Sequence, residues 1–144
     1  MSISFHSLHP SKNLIKKTDI KNWIRTIISE YNKRPDNINI IYVSDEYILE
    51  INNKYLNHNF FTDIITFNYN SETLISGDIF ISVERVRENA ETFKCSYEKE
   101  LLRVIIHGIF HLLGFNDESK QQKDKMRKLE DDALKSFPKS IVSS

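Results

Sequence analysis

The chain has 144 residues, a length that suits one core, and we expect residues 1–144 to form a single domain. Its 20 basic and 20 acidic side chains cancel at pH 7. With no net charge, the chain has no overall positive potential that would attract nucleic acid. Any such binding would need a local basic patch. Cys95 is the single cysteine, which excludes an internal disulfide framework and fits a reducing compartment.

The N-terminus, Met-Ser-Ile-Ser-Phe-His, lacks the apolar core of a signal peptide. No apolar run in the chain is long enough to span a membrane. We therefore expect a cytoplasmic protein with no membrane partner. Ile3 and Phe5 alternate with serines, which predicts a first, weak strand.

The first half of the chain then predicts a helix, a strand and a second helix. Apolar side chains within residues 20–31 recur at steps of three and four, which predicts a helix capped by Thr18. The β-branched run 37–43 predicts a strand. A second helix is expected to begin at Ser44 and Asp45. The residues predicted for its buried side are Ile48, Ile51 and Tyr55.

The middle of the chain predicts a pair of adjacent strands. Residues 57–61 are a polar and aromatic loop, and residues 62–67 form a predicted strand. A turn region over 68–76 leads to a predicted partner strand over 77–82. Ser82 is expected to cap a third helix. The side chains predicted to face inward from it are Val86, Ala90 and Phe93.

Two helices close the chain. The first is a buried apolar helix that Ser96 caps and Gly114 ends in a left-handed turn. The second is a charged helix over about Ser119 to Lys135 with a narrow buried stripe. That stripe consists of Met126, Leu129 and Ala133. The whole pattern predicts an α+β fold, a single small mixed sheet of about four strands with about five helices packed on it.

A metal site is predicted on the buried apolar helix. His107 and His111 are four residues apart, so they share one helix face at roughly 5–6 Å between Cβ atoms. The turn at Gly114 brings Asp117 back toward them. Such histidine pairs occur by chance, but unpaired imidazoles would be costly on so apolar a helix. Two nitrogens and one oxygen with an open fourth position are typical of a catalytic zinc site, and we predict one Zn²⁺ ion bound here.

Gly108 limits the chemistry that this site can perform. Zinc proteases of the His-Glu-x-x-His type carry their glutamate base directly after the first histidine, where this chain has Gly108. Protease chemistry of that type therefore lacks its base. A glycine inside a helix costs roughly 1 kcal/mol relative to alanine. Close approach of another backbone or of substrate would account for it.

The histidine motif and three preceding blocks together resemble the YbeY family. Those blocks are Asn52-x-x-Tyr55, Thr-Asp-Ile-Ile-Thr-Phe at 62–67, and Gly-Asp-Ile at 77–79. The similarity runs from about Asn37 to the last helix, with the blocks in the family's order. It implies an α+β fold and a zinc ion held by three residues. It also implies cleavage of single-stranded RNA, maturation of the 3′ end of 16S rRNA and ribosome quality control.

Two positions depart from the family pattern. Asp117 stands where the family usually has a third histidine, which makes the site one charge less positive. We expect a less acidified water and readier acceptance of other divalent metals. Asn116 and Glu118 are fallback ligands. Leu56 stands where the family commonly has an arginine, and the candidates for the missing catalytic role are Lys54, His58 and Arg85.

Several assignments stay open on the sequence alone. No general base is assigned, and Thr62 and Asp63 either support the site or cap a strand. Asp78 is either a turn residue or a carboxylate that orients a ligand histidine. Phe60 and Phe61 are candidates for stacking on RNA bases. The alternative functions are a non-catalytic ribosome-associated factor with a metal site, or a metallohydrolase of another substrate such as a peptide.

Overall fold

The computed structural model describes residues 2–9, 15–56 and 62–138. The predicted loop at 57–61, which includes His58, Phe60 and Phe61, lies outside the described residues. No helix in the described ranges is long and apolar enough to cross a membrane. The elements are, in order, β1 (Ser2–Ser7), α1 (Lys17–Ser29), β2 (Arg34–Val43), α2 (Asp45–Leu56), β3 (Ile64–Asn68), β4 (Leu74–Ser82), α3 (Val83–Thr92), α4 (Tyr97–Leu112) and α5 (Lys120–Lys135).

The four strands of the described chain form one mixed sheet in the order β1-β2-β4-β3. β1, β2 and β4 run parallel to one another. β3 pairs antiparallel with β4, with Thr66 opposite Ile79. The α+β fold, the mixed sheet and the adjacent late strands are therefore confirmed. β3 is an edge strand, with no other strand of the described residues on its outer side.

The sequence pattern predicted the starts of two strands three residues too late. β2 begins at Arg34 rather than residue 37, and β4 begins at Leu74, inside the predicted turn over 68–76. The extra residues are held by pairing between the two strands, Arg34 opposite Leu74 and Pro35 opposite Ile75. The register then shifts between Pro35 and Ile38. That pairing is long-range, so the local pattern gave no sign of it.

Helices cover both faces of the sheet. On one face α1, α4 and α5 form the main core, with Ile79 and Ile81 of β4 fully buried beneath α4. On the other face α2 packs Ile48 and Ile51 against side chains of β2, β3 and β4. The core is thus two apolar layers with the sheet between them.

Three predicted side-chain roles were wrong. Thr18 does not cap α1, which begins at Lys17 after Lys16 and has no side-chain cap hydrogen bond. Tyr55 is 62% exposed, because the buried stripe of α2 continues through Asn52 and Tyr55 lies at the open edge beside β3. Phe93 is 54% exposed, because α3 ends at Thr92 and the chain turns before its side chain can follow the stripe. The caps predicted at Ser82 and Ser96 are confirmed.

Candidate metal centre

Helix α4 begins and ends where its local chemistry predicts. The Ser96 hydroxyl accepts a hydrogen bond from the Lys99 N–H at 3.1 Å. At the other end Gly114 adopts a φ of 101°, its N–H donates to the His111 carbonyl, and the Phe115 N–H donates to the Phe110 carbonyl. These two bonds are the Schellman pattern, which ends a helix and reverses the chain. The reversal brings the following segment back alongside the histidines.

Gly108 lets α4 lie close to the sheet. A Cβ atom at this position would be 2.9 Å from Ile64 Cδ1 and 3.0 Å from Ile79 Cγ2. The close approach is therefore made by isoleucine side chains of β3 and β4, and not by the backbone or substrate that the sequence suggested. As a result α4 packs directly on the edge pair of strands. His107, which adjoins Gly108 in the helix, borders the cavities beside β3.

The three predicted ligands converge on one point. The Nε2 atoms of His107 and His111 are 3.0 Å apart, and Asp117 Oδ2 lies 3.2 Å from the first and 3.5 Å from the second. Four-coordinate zinc with bonds of about 2.0–2.1 Å requires ligand atoms roughly 3.3–3.4 Å apart. The observed spacings fit an ion of that size. The side chains keep 21–37% of their surface exposed, which leaves one side open.

Hydrogen bonds behind the two rings direct their free nitrogens toward that point. His107 Nδ1 lies 2.6 Å from Glu130 Oε2, and because a carboxylate only accepts, Nδ1–H is the donor. The ring of His111 hydrogen-bonds the backbone of Phe115, with Nε2 turned to Asp117. Three potential ligand atoms therefore lie within 3.5 Å of one another, an arrangement suited to a bound cation.

The surrounding charges favour a cation at His107. Burial opposes its charged form, but the hydrogen bond and charge of Glu130, together with Asp117 and Asp63, outweigh burial and raise the pKa of His107. Burial, followed by the neighbouring charge on His107, lowers the pKa of His111. The acidic groups around His107 thus favour positive charge at this point, and a bound divalent ion would also supply it.

Glu130 was missed by the sequence analysis. It is only 4% exposed and lies on the buried stripe of α5, four residues after Met126 and three before Ala133. Arg103 Nη1 donates to its second oxygen at 3.1 Å, so both oxygens are engaged. The sequence feature that could have identified Glu130 is a carboxylate within the apolar stripe of α5. It was overlooked because α5 carries many other charged residues.

Two open cavities meet at two of the three predicted ligands, His107 and Asp117. The first, which we call the metal cleft, has a volume of about 620 Å³ and is bordered by α2, β3 and the end of α4. The second, the α3–α5 cavity, has a volume of about 350 Å³ and lies between α3, α4 and α5. Asp63, Ile64, His107 and Asp117 line both cavities. The predicted metal position is therefore reachable from two sides.

Comparison with known proteins places the chain in a family. The family model described as endoribonuclease YbeY matches residues 7–138. The chain belongs to the YbeY family.

Relatives and a solved structure agree over most of the chain. The endoribonuclease YbeY of Parabacteroides distasonis is 44% identical over 96% of this chain and 97% of its own. That of Flavobacterium psychrophilum is 48% identical over 85% of this chain and 87% of its own. The solution structure of TM1509 from Thermotoga maritima matches with a TM-score of 0.64 at 30% identity, covering 94% of this chain and 91% of that one.

Two of the predicted replacements for the YbeY arginine, Lys54 and Arg85, lie away from the metal centre, and the third, His58, is outside the described residues. Leu56 is 41% exposed and lines the metal cleft. The Lys54 ammonium lies 5.3 Å from the Tyr55 ring centre. Arg85 forms an ion pair of 2.7 Å with Asp45, where α2 meets α3. Neither Lys54 nor Arg85 lines either of the two cavities over the described residues.

The positions of Asp78 and Asp63 bear on two other open assignments. The carboxylate of Asp78 accepts a hydrogen bond from Asn39 at 3.0 Å and lies on the sheet face opposite Ile79 and α4. It is Glu130 that contacts a ligand histidine. Asp63 lies on the shared rim of the cavities, accepts a hydrogen bond from Asn89, and has its pKa raised by burial.

Proposed function

We propose that this chain is a metal-dependent endoribonuclease that cleaves single-stranded RNA, and that it acts on the 3′ end of 16S rRNA and in ribosome quality control. The observation that carries the proposal is the convergence of His107, His111 and Asp117 within 3.5 Å in a chain of the endoribonuclease YbeY family. Its relatives bear the name endoribonuclease. We propose Zn²⁺ as the ion, since two imidazoles and one carboxylate suit zinc better than magnesium or calcium.

The chain's own groups have separable roles in this mechanism. When bound, a divalent ion supplies Lewis-acid polarisation of a phosphate oxygen and acidifies a water. His107, His111 and Asp117 would hold it, and Glu130 fixes the ring of His107 so that Nε2 faces the ion. Asp63 borders the same point, and burial raises the pKa of its carboxyl, which favours a group that can carry a proton. We propose it as the acid or base.

The phosphate would receive little help from fixed positive side chains in the metal cleft. Leu56 occupies the position of the family arginine, and His58 remains a candidate for that role. With two neutral histidines and one carboxylate, the loaded centre carries one net positive charge. A three-histidine centre would carry two. We therefore propose that this chain depends more on its bound ion than a relative with the arginine would.

The test combines metal analysis with RNA cleavage. We expect one equivalent of zinc in the purified protein and cleavage of single-stranded RNA that stops on chelation and returns with metal. Asp117→Ala should weaken metal binding and abolish cleavage, whereas Asp124→Ala, an exposed carboxylate on α5, should change neither. Zinc without cleavage would favour a non-catalytic ribosome-associated factor. Unchanged metal affinity in Asp117→Ala would exclude Asp117 as a ligand.

A further inference from the structure

An enzyme that cuts a strand internally must leave room for the strand on both sides of the reacting phosphate. Here two of the predicted metal ligands, His107 and Asp117, lie on a rim shared by two cavities, the metal cleft and the α3–α5 cavity. A strand bound at the rim can therefore extend into both. The metal cleft is the side that contains Asn52 and Leu56, where the family's arginine would lie. The α3–α5 cavity has no role in the mechanism above.

Basic side chains distinguish the α3–α5 cavity. Arg103, Lys123 and Arg127 line it, whereas no lysine or arginine of the described residues lines the metal cleft. Arg103 is engaged with Glu130 and Asp131 at 3.1 and 2.8 Å. Lys123 and Arg127 lie on the exposed side of α5 and border the opening. The phosphates of an RNA strand that extends from the rim into this cavity would lie near the positive charges of Lys123 and Arg127.

The cavity's carboxylates only partly offset these two cations. Glu130 pairs with Arg103 at 3.1 Å and lies 4.0 Å from Arg127, and Asp63 and Asp117 lie on the rim shared with the metal cleft. Glu100 is 4% exposed, and burial raises its pKa to about 7. It is therefore only partly ionised at neutral pH. The opening of the cavity is more basic than a count of its residues indicates.

An exposed aromatic ring stands at the same opening. Phe93 lines this cavity and is 54% exposed, because α3 ends at Thr92 before the side chain can follow the buried stripe. The Arg127 guanidinium lies 5.7 Å from the centre of its ring. Core packing does not account for this pair. Proteins that bind single-stranded RNA stack its bases on aromatic rings and on guanidinium planes of this kind.

We propose that the α3–α5 cavity is a subsite for the single-stranded RNA segment on one side of the reacting phosphate. A base stacks on the Phe93–Arg127 pair, and Lys123 with Arg127 faces the backbone phosphates. The metal cleft holds the segment on the other side. This inference rests on the proposed endoribonuclease function and adds the path of the strand.

The experiment compares steady-state cleavage of a single-stranded RNA with hydrolysis of bis(p-nitrophenyl) phosphate, a diester without flanking nucleotides. Phe93→Leu and Arg127→Ala should each raise KM for RNA at least about fivefold with kcat little changed, since stacking on one base is worth about that much. Phe93→Trp should restore the KM. Arg127→Ala should also make the salt dependence of binding shallower, by about 0.7 in the logarithmic slope.

Lys128→Ala is the matched control, because Lys128 is an exposed cation on α5 that does not line the cavity. Variants that cleave RNA with the KM of Lys128→Ala would overturn the subsite and leave the endoribonuclease proposal standing. The subsite would also be overturned if Phe93→Leu and Arg127→Ala lost hydrolysis of the small diester as well as RNA cleavage, because the effect would then lie at the metal centre. A wild-type protein that cleaves neither substrate would refute the proposed function, and the subsite with it.

Discussion

Glu130 holds His107 in the orientation that would present its Nε2 atom to a metal ion. Its hydrogen bond to Nδ1, at 2.6 Å, fixes both the ring orientation and the nitrogen that stays free. We predict that Glu130→Gln lowers zinc affinity about 10–100-fold, the usual effect of losing such a partner. Competition with a chromophoric chelator would measure the change, and it needs no activity assay.

Asp131→Asn is the control for that experiment. Asp131 accepts from the same Arg103 at 2.8 Å but makes no contact with His107, and its side chain is half exposed. If both variants lose the same affinity, the effect comes from Arg103 and α5, and Glu130 has no specific role. Thermal unfolding of both zinc-free variants would show whether either change loosens the packing of α5.

At the scale of the element, the turn after α4 sets the third ligand. Gly114 has a φ of 101°, a backbone conformation that costs an alanine about 1–2 kcal/mol. A Cβ atom added at this position would meet no neighbouring group within 4 Å, so the cost is conformational and not steric contact. We predict that Gly114→Ala lowers the free energy of unfolding by about that amount and weakens zinc binding, because Asp117 follows this turn.

Gly114→Asn separates the two contributions, since asparagine tolerates positive φ better than alanine does. It should recover most of the stability and of the metal affinity. Denaturant unfolding and zinc titration on the same preparations would measure both. If alanine destabilises the fold and leaves metal affinity unchanged, Asp117 is positioned by other contacts, such as those around the Ser119 capping box.

The parts of the fold that the sequence predicted are those set by local chemistry. Ser96 and Gly114 mark the ends of α4 by hydrogen bonds within a few residues, so the helix and the spacing of its histidines could be predicted. The starts of β2 and β4 depend on each other across about 40 residues of chain, as Arg34 and Leu74 pair. Glu130 reaches His107 across 23 residues, a contact that helix periodicity alone does not encode.

At the scale of the molecule, we propose that residues 1–144 form one domain. The described helices all pack against the one sheet or against α4. The chain should then unfold in a single cooperative transition, and its stability has one value at each pH. Probes of the sheet and of Trp23, which packs on Phe137 near the end of α5, should report the same midpoint. Separate midpoints would contradict the proposal.

The free energy of unfolding of this domain should depend on pH through the ionisation of Glu100. Burial raises its pKa from an ordinary 4.5 to about 7, so the folded protein retains a proton that the unfolded chain loses. Below about pH 4.5 both states are protonated and the fold carries no penalty. Stability is lost as the pH rises from there through about 7; above that pH both states are ionised and the penalty reaches its full value of roughly 3 kcal/mol.

Glu100→Gln should remove this penalty, because glutamine stays neutral at every pH. We predict that the variant matches the wild type near pH 4 and is more stable by up to about 3 kcal/mol above pH 7. Denaturant unfolding at several pH values, with metal removed from both proteins, would measure the difference. A constant difference at all pH values would mean that Glu100 titrates normally. In that case the carboxylate is ionised throughout, and the opening of the α3–α5 cavity carries its full negative charge at neutral pH.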